Sequence, residues 1–351
     1  MPLDILHIAG RAIGAGMPCF VIAEAGVNHN GDLGTALRLI DAAAEAGADA
    51  VKFQTFRADR LVTAQAPKAD YQARNTGSDG SQQAMLRALE LDEPMHRELM
   101  AHCARRGLLF LSTPFEESSA DLLERLDLPA FKLPSGEITN LPFLAHVARK
   151  GRPIILSTGM ADLGEVERAL AVLRAEGDPP VALLHCVSAY PTEPRDANLR
   201  AMATLALAFQ VPVGYSDHTT GLEIPLAAVA LGACILEKHI TLDRSLPGPD
   251  QIASLEPRDL KRLVAGVRAV ESALGHGRKE PAACERNTAE VARKSLVTAR
   301  PLAAGSTLGA EDLVLMRPGT GLDASFLPAL AGRTLARALP AGHLLSLEDL
   351  R

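Results

Sequence analysis

The sequence predicts a (β/α)₈ barrel, the TIM-barrel fold, followed by a small, mainly β module. From Phe20 onward, short apolar or β-branched runs alternate with alanine- and leucine-rich helical patterns, which is typical of a parallel sheet. Eight such runs occur, and each is followed by a helical stretch. After Gly275 the long helical patterns end and short β-like runs separated by turns replace them.

The eight predicted strands follow one another at intervals that leave room for a helix. They are FVIAEAG (20–26), AVKFQTF (50–56), LLFLSTP (108–114), AFKLPSG (130–136), PIILSTG (153–159), ALLHCVSAY (182–190), VPVGYS (211–216) and CILEKHI (234–240). Glycines end several of the intervening helices, as in AAAEAG and HCARRG, because glycine accepts the left-handed conformation at a helix end. An open doubly wound sheet is the alternative, but no GxGxxG follows the first strand, so the barrel is favoured.

Three regions are predicted from these patterns. The barrel occupies residues 1–275, because the last long helical pattern, PRDLKRLVAGVRAVESALG, ends at Gly275. Residues 276–293 are polar and irregular and are interpreted as a linker. Residues 294–351 contain the β-like runs SLVTARPL, DLVLMRPG and RTLARALP and form the small domain. So short a module has a thin core, and we expect it to dock against another surface.

Composition narrows the class of function. At 351 residues and 47% hydrophobic content the chain can bury a large core. A net charge of -6 without a basic run argues against binding nucleic acid or an anionic membrane surface, so small-molecule partners are expected. The five scattered cysteines never form CxxC, which favours reduced thiols. Neither a signal-like N-terminus nor a segment of membrane-span length is present, so a cytoplasmic protein is expected.

Polar residues gather at the predicted strand ends, where the loops of a barrel form its active face. Residues 213–250 give a strand, a helix and a strand, with His218 and His239 at the two strand exits. Because neighbouring parallel strands exit on one side, these imidazoles can meet and hold a divalent metal; two ordinary structural histidines are the alternative. The polar residues of all eight exits are Glu24, Asn28, His29, Lys52, Gln54, Ser112, Thr113, Lys132, Ser135, Glu137, Ser157, Thr158, Ser188, Tyr190, Ser216, His218, Glu237, Lys238 and His239.

Two lysines in this set, Lys52 and Lys132, indicate an anion site. A lysine inside a barrel must be paired or bind an anion, unless it extends to solvent, and a phosphate or carboxylate would satisfy both. Together with a metal and the carboxylates of Glu24 and Glu137, the set suits carbon–carbon bond formation between an anionic enol and a carbonyl. The connection over residues 57–83 is unusually long and is predicted to cover substrate, although a tolerated surface insertion is the alternative.

Nine motifs occur in order along nearly the whole chain: IAEAGVNHNGD, AVKFQTF, STPF, KLPSGEITN, LSTGM, LHCVSAYPT, GYSDHT, EKHITLDRSLPGPD and ASLEP. Together they resemble the sialic acid synthase family, which includes N-acetylneuraminate, legionaminate and pseudaminate synthases. The end, ARKSLVTARPLAAGSTLGAEDLVLMRPGTGL, resembles that family's antifreeze-like (SAF) domain. The resemblance implies a metal-dependent transferase that condenses phosphoenolpyruvate with an open-chain N-acylated hexosamine, either N-acetylmannosamine or a 2,4-diacetamido-2,4,6-trideoxyhexose. The products are a nine-carbon 2-keto sugar acid and phosphate.

The resemblance also implies cofactors, partners and residue roles. The metal would be Mn²⁺, with Mg²⁺ or Co²⁺ as alternatives, and the assembly a domain-swapped homodimer. The metal ligands would be His218 and His239, and the catalytic residues Glu24, Lys52 and Glu137. The phosphoenolpyruvate contacts would be Lys52, Thr113, Lys132, Ser135, Ser157, Ser188 and Ser216. The sugar contacts would be Gln54, Asn75, Glu137, Tyr190, Asp250 and, from the neighbouring subunit, Arg317.

Two positions depart from the family pattern and leave the sugar open. Ser188 stands where some neuraminate-making members have asparagine, and Gln251 stands where many members have histidine. Three other functions also remain open. The first is a Schiff-base aldolase that uses Lys52 or Lys132. The second is a synthase for a phosphorylated aldose, against which stands the lack of an arginine cluster at the strand exits. The third is a non-catalytic sugar or protein binder.

Overall fold

A computed structural model of the chain describes residues 5–76 and 81–351. The chain divides into two units, Met1–Gly275 and His276–Arg351, and each has a hydrophobic core of its own. Among the helices in the described ranges, none combines the length and the apolar character that crossing a bilayer requires.

The first unit begins with an antiparallel hairpin, β1 (Leu6–Ile8) and β2 (Arg11–Ile13), which the sequence patterns do not indicate. Its buried aliphatic side chains pack against inward-facing residues near the start of the barrel strands, including Phe20 and Ile235. The hairpin thus fills the amino end of the barrel interior with apolar side chains. The polar strand ends are left to the opposite, carboxyl end.

Eight parallel strands form the main sheet within the described residues. They are β3 (Phe20–Gly26), β4 (Ala50–Thr55), β5 (Leu109–Pro114), β6 (Phe131–Leu133), β7 (Ile154–Ser157), β8 (Val181–Cys186), β9 (Val213–Asp217) and β10 (Ile235–His239). The hydrogen-bonded order is β5-β4-β3-β10-β9-β8-β7-β6, and β5 and β6 at its two ends lie side by side. Since the sheet returns on itself in chain order, the predicted barrel is confirmed and the open doubly wound sheet is excluded.

Helices connect these strands. They are α1 (Leu33–Ala46), α2 (Ala58–Leu61), α3 (Asp70–Thr76), α4 (Gln82–Arg87), α5 (Glu93–Arg106), α6 (Glu117–Arg125), α7 (Leu141–Ala148), α8 (Leu163–Ala175), α9 (Ala201–Phe209), α10 (Glu223–Ala230) and α11 (Pro257–Leu274). Local sequence sets their ends. Asp32 accepts from the Thr35 amide at the start of α1, and Gly47 ends that helix with a φ of 81°. Asp162 and Glu165 form a capping box at the start of α8.

The strands are buried on both faces, as expected for a sheet covered by helices. In β3, Val21 and Ala23 belong to the core that the sheet shares with the helices, whereas Phe20 and Ile22 belong to the core inside the barrel. Side chains alternate along a strand, so the next inward residue is Glu24, at the carboxyl end. The same alternation in the other strands places their terminal polar side chains in the mouth of the barrel.

The second unit contains α12 (Arg286–Ala292), β11 (Ser295–Thr298), β12 (Leu313–Met316) and α13 (Leu327–Leu330). The strands β11 and β12 pair antiparallel, in agreement with two of the predicted β-like runs. The third run makes only isolated bridges, such as Leu302 to Leu339. Seven buried leucines form the core: Leu296, Leu302, Leu308, Leu330, Leu335, Leu339 and Leu345. The residues interpreted as a linker include α12.

Candidate active site

A cavity of about 500 Å³ lies at the carboxyl end of the barrel, within the usual size range of small-molecule sites. Strand alternation determines which side chains reach it. In β10, Glu237 and His239 line the cavity, whereas Lys238 between them points away and pairs with Asp217 of β9 at 2.5 Å. This outward pair is fully buried, and Asp217 also accepts from the amide and hydroxyl of Thr219. The network fixes the turn that carries His218.

The floor of the cavity is a cluster of two lysines and two carboxylates. Lys52 Nζ lies 2.7 Å from Glu24 Oε2 and 3.9 Å from Glu237 Oε2, and it donates to Thr113 Oγ1 over 2.7 Å. Lys132 Nζ donates to the hydroxyl of Ser157 over 2.8 Å and lies 3.6 Å from Glu237 Oε1. Glu237 therefore sits between the two ammonium groups, and all four charged groups are nearly inaccessible to water.

Burial sets the charge of this cluster. It raises the pKa of Glu24 to about 7, because the nearby Lys52 offsets only part of the loss of hydration and Glu237 adds repulsion. Burial would also raise the pKa of Glu237, but Lys132 and Lys52 outweigh it and hold that pKa below its usual value. Near neutral pH a fraction of molecules thus has a neutral Glu24 beside two lysines and one carboxylate. The cluster then carries a net positive charge suited to an anion.

Hydroxyl groups surround the lysines. Ser216 donates to Glu237 Oε1 over 3.1 Å, and Ser135 accepts from the amide of Gly159 over 2.9 Å. A side chain at Gly159 would not fit, since a Cβ there would lie 2.5 Å from Ser188 Oγ and 2.9 Å from Ser135 Oγ. Glycine lets the backbone approach these hydroxyls closely. A phosphate or carboxylate in the cavity would meet several donors besides the ammonium groups.

The two histidines predicted as metal ligands lie together, with ring centroids 5.4 Å apart. Burial lowers the pKa of both, so each imidazole is neutral at physiological pH. His218 Nδ1 donates to the Val187 carbonyl at 2.7 Å, which leaves Nε2 as a lone-pair donor toward a metal. His239 Nδ1 is buried, has no hydrogen-bond partner, and lies 3.9 Å from Asp250 Oδ2.

This donor set fits a divalent metal that keeps positions open for water and substrate. In the described parts of the chain, no three or more histidine, cysteine, aspartate or glutamate side chains converge as a metal site would require. Of these residue types, the two imidazoles are the ligands that the site would offer a metal. The buried orphan nitrogen of His239 is the observation that favours such a metal.

Aromatic and acidic side chains also line the cavity, beyond the lysine cluster. Tyr190 packs on His218 with ring centroids 4.1 Å apart, and Tyr71 of α3 stacks on Tyr190 at 5.0 Å. Burial raises the pKa of Asp250 to about 6, partly opposed by Lys52. Burial also raises the pKa of half-buried Glu137, although Asn140 donates to it. Asp250 is therefore able to hold a proton not far below neutral pH, and the pKa of Glu137 shifts in the same direction.

Most residues predicted for the site line this one cavity. They are Glu24, Lys52, Gln54, Thr113, Lys132, Ser135, Glu137, Ser157, Ser188, Tyr190, Ser216, His218, His239 and Asp250. Asn75 does not: its amide donates to the Pro249 carbonyl over 2.6 Å, which ties α3 to the segment that carries Asp250. Arg317 belongs to the second unit, where it is exposed and its Nε donates to the Ala292 carbonyl.

The two departures from the family pattern lie in different places. Ser188 lines the cavity, so its hydroxyl is available to a ligand. Gln251 is fully buried and does not line it; its amide contacts the Thr241 hydroxyl and the carbonyls of Asn28 and Pro247. Gln251 thus braces the loop before Asp250 and acts on a substrate only through that loop.

Glu237 is the main cavity residue to which sequence reasoning gives no role. Its position two residues before His239 on one strand is the signal that assigns it to the same face. Tyr71, Gln72 and Gln82 also line the cavity and belong to the connection over residues 57–83 predicted to cover substrate, while Met85 and Leu86 follow it on α4. The segment between β4 and α5 is helical in part, comprising α2, α3 and α4.

Comparison with known proteins adds to this geometry. A model of the NeuB family matches residues 39–279, and one of the SAF domain matches residues 293–351. The chain is 48% identical over 341 residues to N,N'-diacetyllegionaminic acid synthase of Legionella pneumophila, with 96% of each chain covered. It is 49% identical over 327 residues to the Campylobacter jejuni protein of that name, covering 93% of this chain and 98% of the relative. The crystal structure of N-acetylneuraminic acid synthetase from Leptospira borgpetersenii, in complex with citrate, superposes with a TM-score of 0.73 at 38% identity, covering 81% of this chain and 95% of that one.

Proposed function

The chain belongs to the NeuB family, and we propose that it condenses phosphoenolpyruvate with an open-chain N-acylated hexosamine. The observation that carries the proposal is the pair of buried lysines, Lys52 and Lys132, set among hydroxyls at the carboxyl end of the barrel. The names of two relatives that are 48% and 49% identical over nearly the whole chain favour 2,4-diacetamido-2,4,6-trideoxymannose as the sugar. N-acetylmannosamine is the second candidate.

The reaction joins C3 of phosphoenolpyruvate to the aldehyde carbon of the sugar. Water adds to C2, the bond between C2 and the phosphate oxygen breaks, and phosphate leaves with the electron pair of that bond. The two protons of the water end on the new sugar hydroxyl and on phosphate, so atoms and charge balance. Lys52 and Lys132 would hold the carboxylate and phosphate of phosphoenolpyruvate. Glu24 would hold the proton in transit, since its pKa of about 7 makes both of its forms available.

We propose a divalent metal, Mn²⁺ before Mg²⁺ or Co²⁺, held by His218 and His239. When bound, such an ion supplies a Lewis acid that polarises the aldehyde oxygen. The chain's own groups do the rest. Tyr190 orients the His218 ring by packing on it, and the Val187 carbonyl fixes the tautomer of His218. Asp250, beside His239, would accept hydrogen bonds from the sugar hydroxyls.

Purified protein mixed with phosphoenolpyruvate, 2,4-diacetamido-2,4,6-trideoxymannose and Mn²⁺ is expected to release phosphate and form the 2-keto sugar acid in equal amounts. Among the alternative functions, the Schiff-base aldolase has an observation in its favour, because burial lowers the pKa of Lys132. Borohydride added during turnover separates the two. An adduct trapped on Lys52 or Lys132, together with activity that survives EDTA, would contradict the proposal.

We propose an unphosphorylated sugar. Among the described residues that line the cavity there is no arginine, and the two lysines are already needed for phosphoenolpyruvate. A second phosphate group would lack the bidentate donors that usually hold one. We also propose a cytoplasmic location, which fits the free, buried state of Cys19, Cys103, Cys186 and Cys234, although Cys284 is exposed.

We further propose a domain-swapped homodimer in which Arg317 completes the sugar site of the neighbouring subunit. Support comes from the second unit itself, where exposed Arg317 follows the exposed apolar residues Val314, Leu315 and Met316 of β12. Such an apolar edge favours docking on another surface. An arginine can donate to the carbonyl of the sugar's N-acyl group. A pocket that binds only the sugar hydroxyls would leave that carbonyl without a donor.

Arg317→Ala is expected to raise KM for the sugar much more than KM for phosphoenolpyruvate. Complementation tests the in-trans arrangement. After full subunit exchange, an equal mixture of Arg317→Ala and His218→Ala chains should recover about a quarter of wild-type activity, because half of the dimers then contain one intact site. No recovery, with exchange verified by mass-tagged subunits, would mean that Arg317 does not act across the dimer.

A further inference from the structure

The lining of the cavity has two chemically different parts. The barrel strands supply the lysines, carboxylates, histidines and hydroxyls described above. Another part of the lining comes from the connection between β4 and α5 and is mostly apolar. We call this part the apolar wall, and its members are Leu61, Val62, Met85, Leu86 and Leu89.

The apolar wall is continuous with a small hydrophobic core, with which it shares Leu89. Buried Val27, Phe56 and Leu89 form this core, and Leu61, Met85 and Leu86 pack against it. Phe56 makes an edge-to-face contact with Phe115 at a centroid distance of 5.9 Å. Because its members are packed against one another, the wall is a fixed apolar surface that a ligand meets already formed.

The polar side chains next to the apolar wall are engaged with each other. Gln82 donates to Gln72 Oε1 over 3.1 Å, and the same oxygen accepts from the Ala69 amide over 3.0 Å. Gln83 donates to the Val62 carbonyl over 3.3 Å. These bonds engage part of the polar groups of Gln72, Gln82 and Gln83, whereas the apolar wall offers no hydrogen-bond partner to a sugar hydroxyl, and burying an unpaired hydroxyl is unfavourable.

Phosphoenolpyruvate has no methyl group to place on such a surface, so the wall must serve the second substrate. The two candidate sugars differ in the methyl groups that they could place on this surface. Compared with N-acetylmannosamine, 2,4-diacetamido-2,4,6-trideoxymannose carries an acetamide in place of the C4 hydroxyl and a methyl group in place of the C6 hydroxymethyl. It therefore presents more apolar surface and fewer hydroxyls, and burial of each added methyl on an apolar surface is favourable.

We infer that the apolar wall is the element that selects the 6-deoxy, diacetamido sugar, with Met85 and Leu86 in contact with its C4 acetamide methyl or C6 methyl. This assignment rests on the proposed condensation and adds to it the residues that determine sugar choice. Both side chains are half-buried on α4 and project from the segment that covers the cavity. They take no part in the reaction at the lysines.

The test compares kcat/KM for the two sugars at saturating phosphoenolpyruvate in wild type and in the double variant Met85→Gln/Leu86→Asn. These substitutions keep similar side-chain shapes and add polar groups facing the cavity. Wild type is expected to prefer the diacetamido sugar, and the double variant to lose about 10- to 100-fold of that preference. The KM for phosphoenolpyruvate should stay near its wild-type value.

Two further variants serve as controls. Met85→Leu keeps the wall apolar and should keep the preference, and Ala84→Gln adds the same polar group to the exposed face of α4. An unchanged preference in an active double variant, or a wild-type preference for N-acetylmannosamine, would overturn the inference. If melting curves show that the double variant is unfolded, the single variants are interpreted in the same way. Wild type inactive with both sugars would instead refute the condensation itself, and the inference with it.

Discussion

Replacing His239 with alanine is expected to reduce turnover by about 1,000-fold or more while leaving the barrel folded. Loss of a metal that polarises the aldehyde would remove several kcal/mol of transition-state stabilisation, and each 1.4 kcal/mol is about tenfold in rate. The fold should survive, because His239 Nδ1 makes no hydrogen bond that the substitution could break. His218→Ala should inactivate the enzyme equally but destabilise it more, since it removes the 2.7 Å bond to the Val187 carbonyl, which then keeps only the 3.3 Å bond from the Thr192 hydroxyl.

Binding of Mn²⁺, followed by calorimetry, gives a readout independent of turnover. Both alanine variants should bind Mn²⁺ at least tenfold more weakly than wild type. His185→Asn is the matched control, because His185 also lies on a barrel strand and contacts a carbonyl, that of Ala197, but does not line the cavity. It should keep both metal binding and activity. Full wild-type activity after exhaustive chelation would show that no metal is needed.

The strands could be predicted from sequence because each is a short, doubly buried apolar run, and their number and spacing determine the barrel. The hairpin β1–β2 could not, since runs of three residues such as LHI are common in any chain. The ends of the strands are harder to predict from the sequence. The predicted strand 182–190 ends at Cys186 in the structure, because the following residues bond elsewhere: Val187 accepts from His218, and Thr192 donates to the His218 carbonyl.

The candidate site is likewise predictable from the sequence only in part. Strand parity brings Lys52, Lys132 and His239 to one cavity, and that much follows from the sequence. The side-chain contacts between different strands do not follow from the sequence, because they depend on strand register and on the radius of the barrel. Thus the position of Glu237 between two lysines is known only from the structure. The same holds for the hydrogen bond of Asn75, which is made to Pro249 and not into the cavity. The apolar wall likewise cannot be predicted from the sequence, since its members are spread over the whole segment between β4 and α5.

Exchanging Lys132 for methionine is expected to lower kcat/KM for phosphoenolpyruvate by about 1,000-fold, mainly through KM. Methionine keeps much of the volume of this buried side chain but removes the positive charge next to Ser157. A charge-assisted contact to a phosphate or carboxylate is then lost in a site shielded from water, where such contacts are strong. Initial rates over a range of phosphoenolpyruvate concentrations, with the sugar saturating, measure the effect.

Lys132→Met alone is ambiguous, because it also deprives Glu237 of a partner 3.6 Å away and leaves Lys52 at 3.9 Å as its remaining lysine. Removing one partner of a buried ion pair destabilises a protein by about 3–5 kcal/mol, so a fall in Tm is expected as well. The double variant Lys132→Met/Glu237→Gln removes both charges and should regain much of the lost Tm. Phosphoenolpyruvate binding, measured by calorimetry, should stay weak in the double variant. If binding returned along with Tm, Lys132 would serve to neutralise Glu237 and the anion would be held by Lys52 and the hydroxyls, because the two losses would then have one cause.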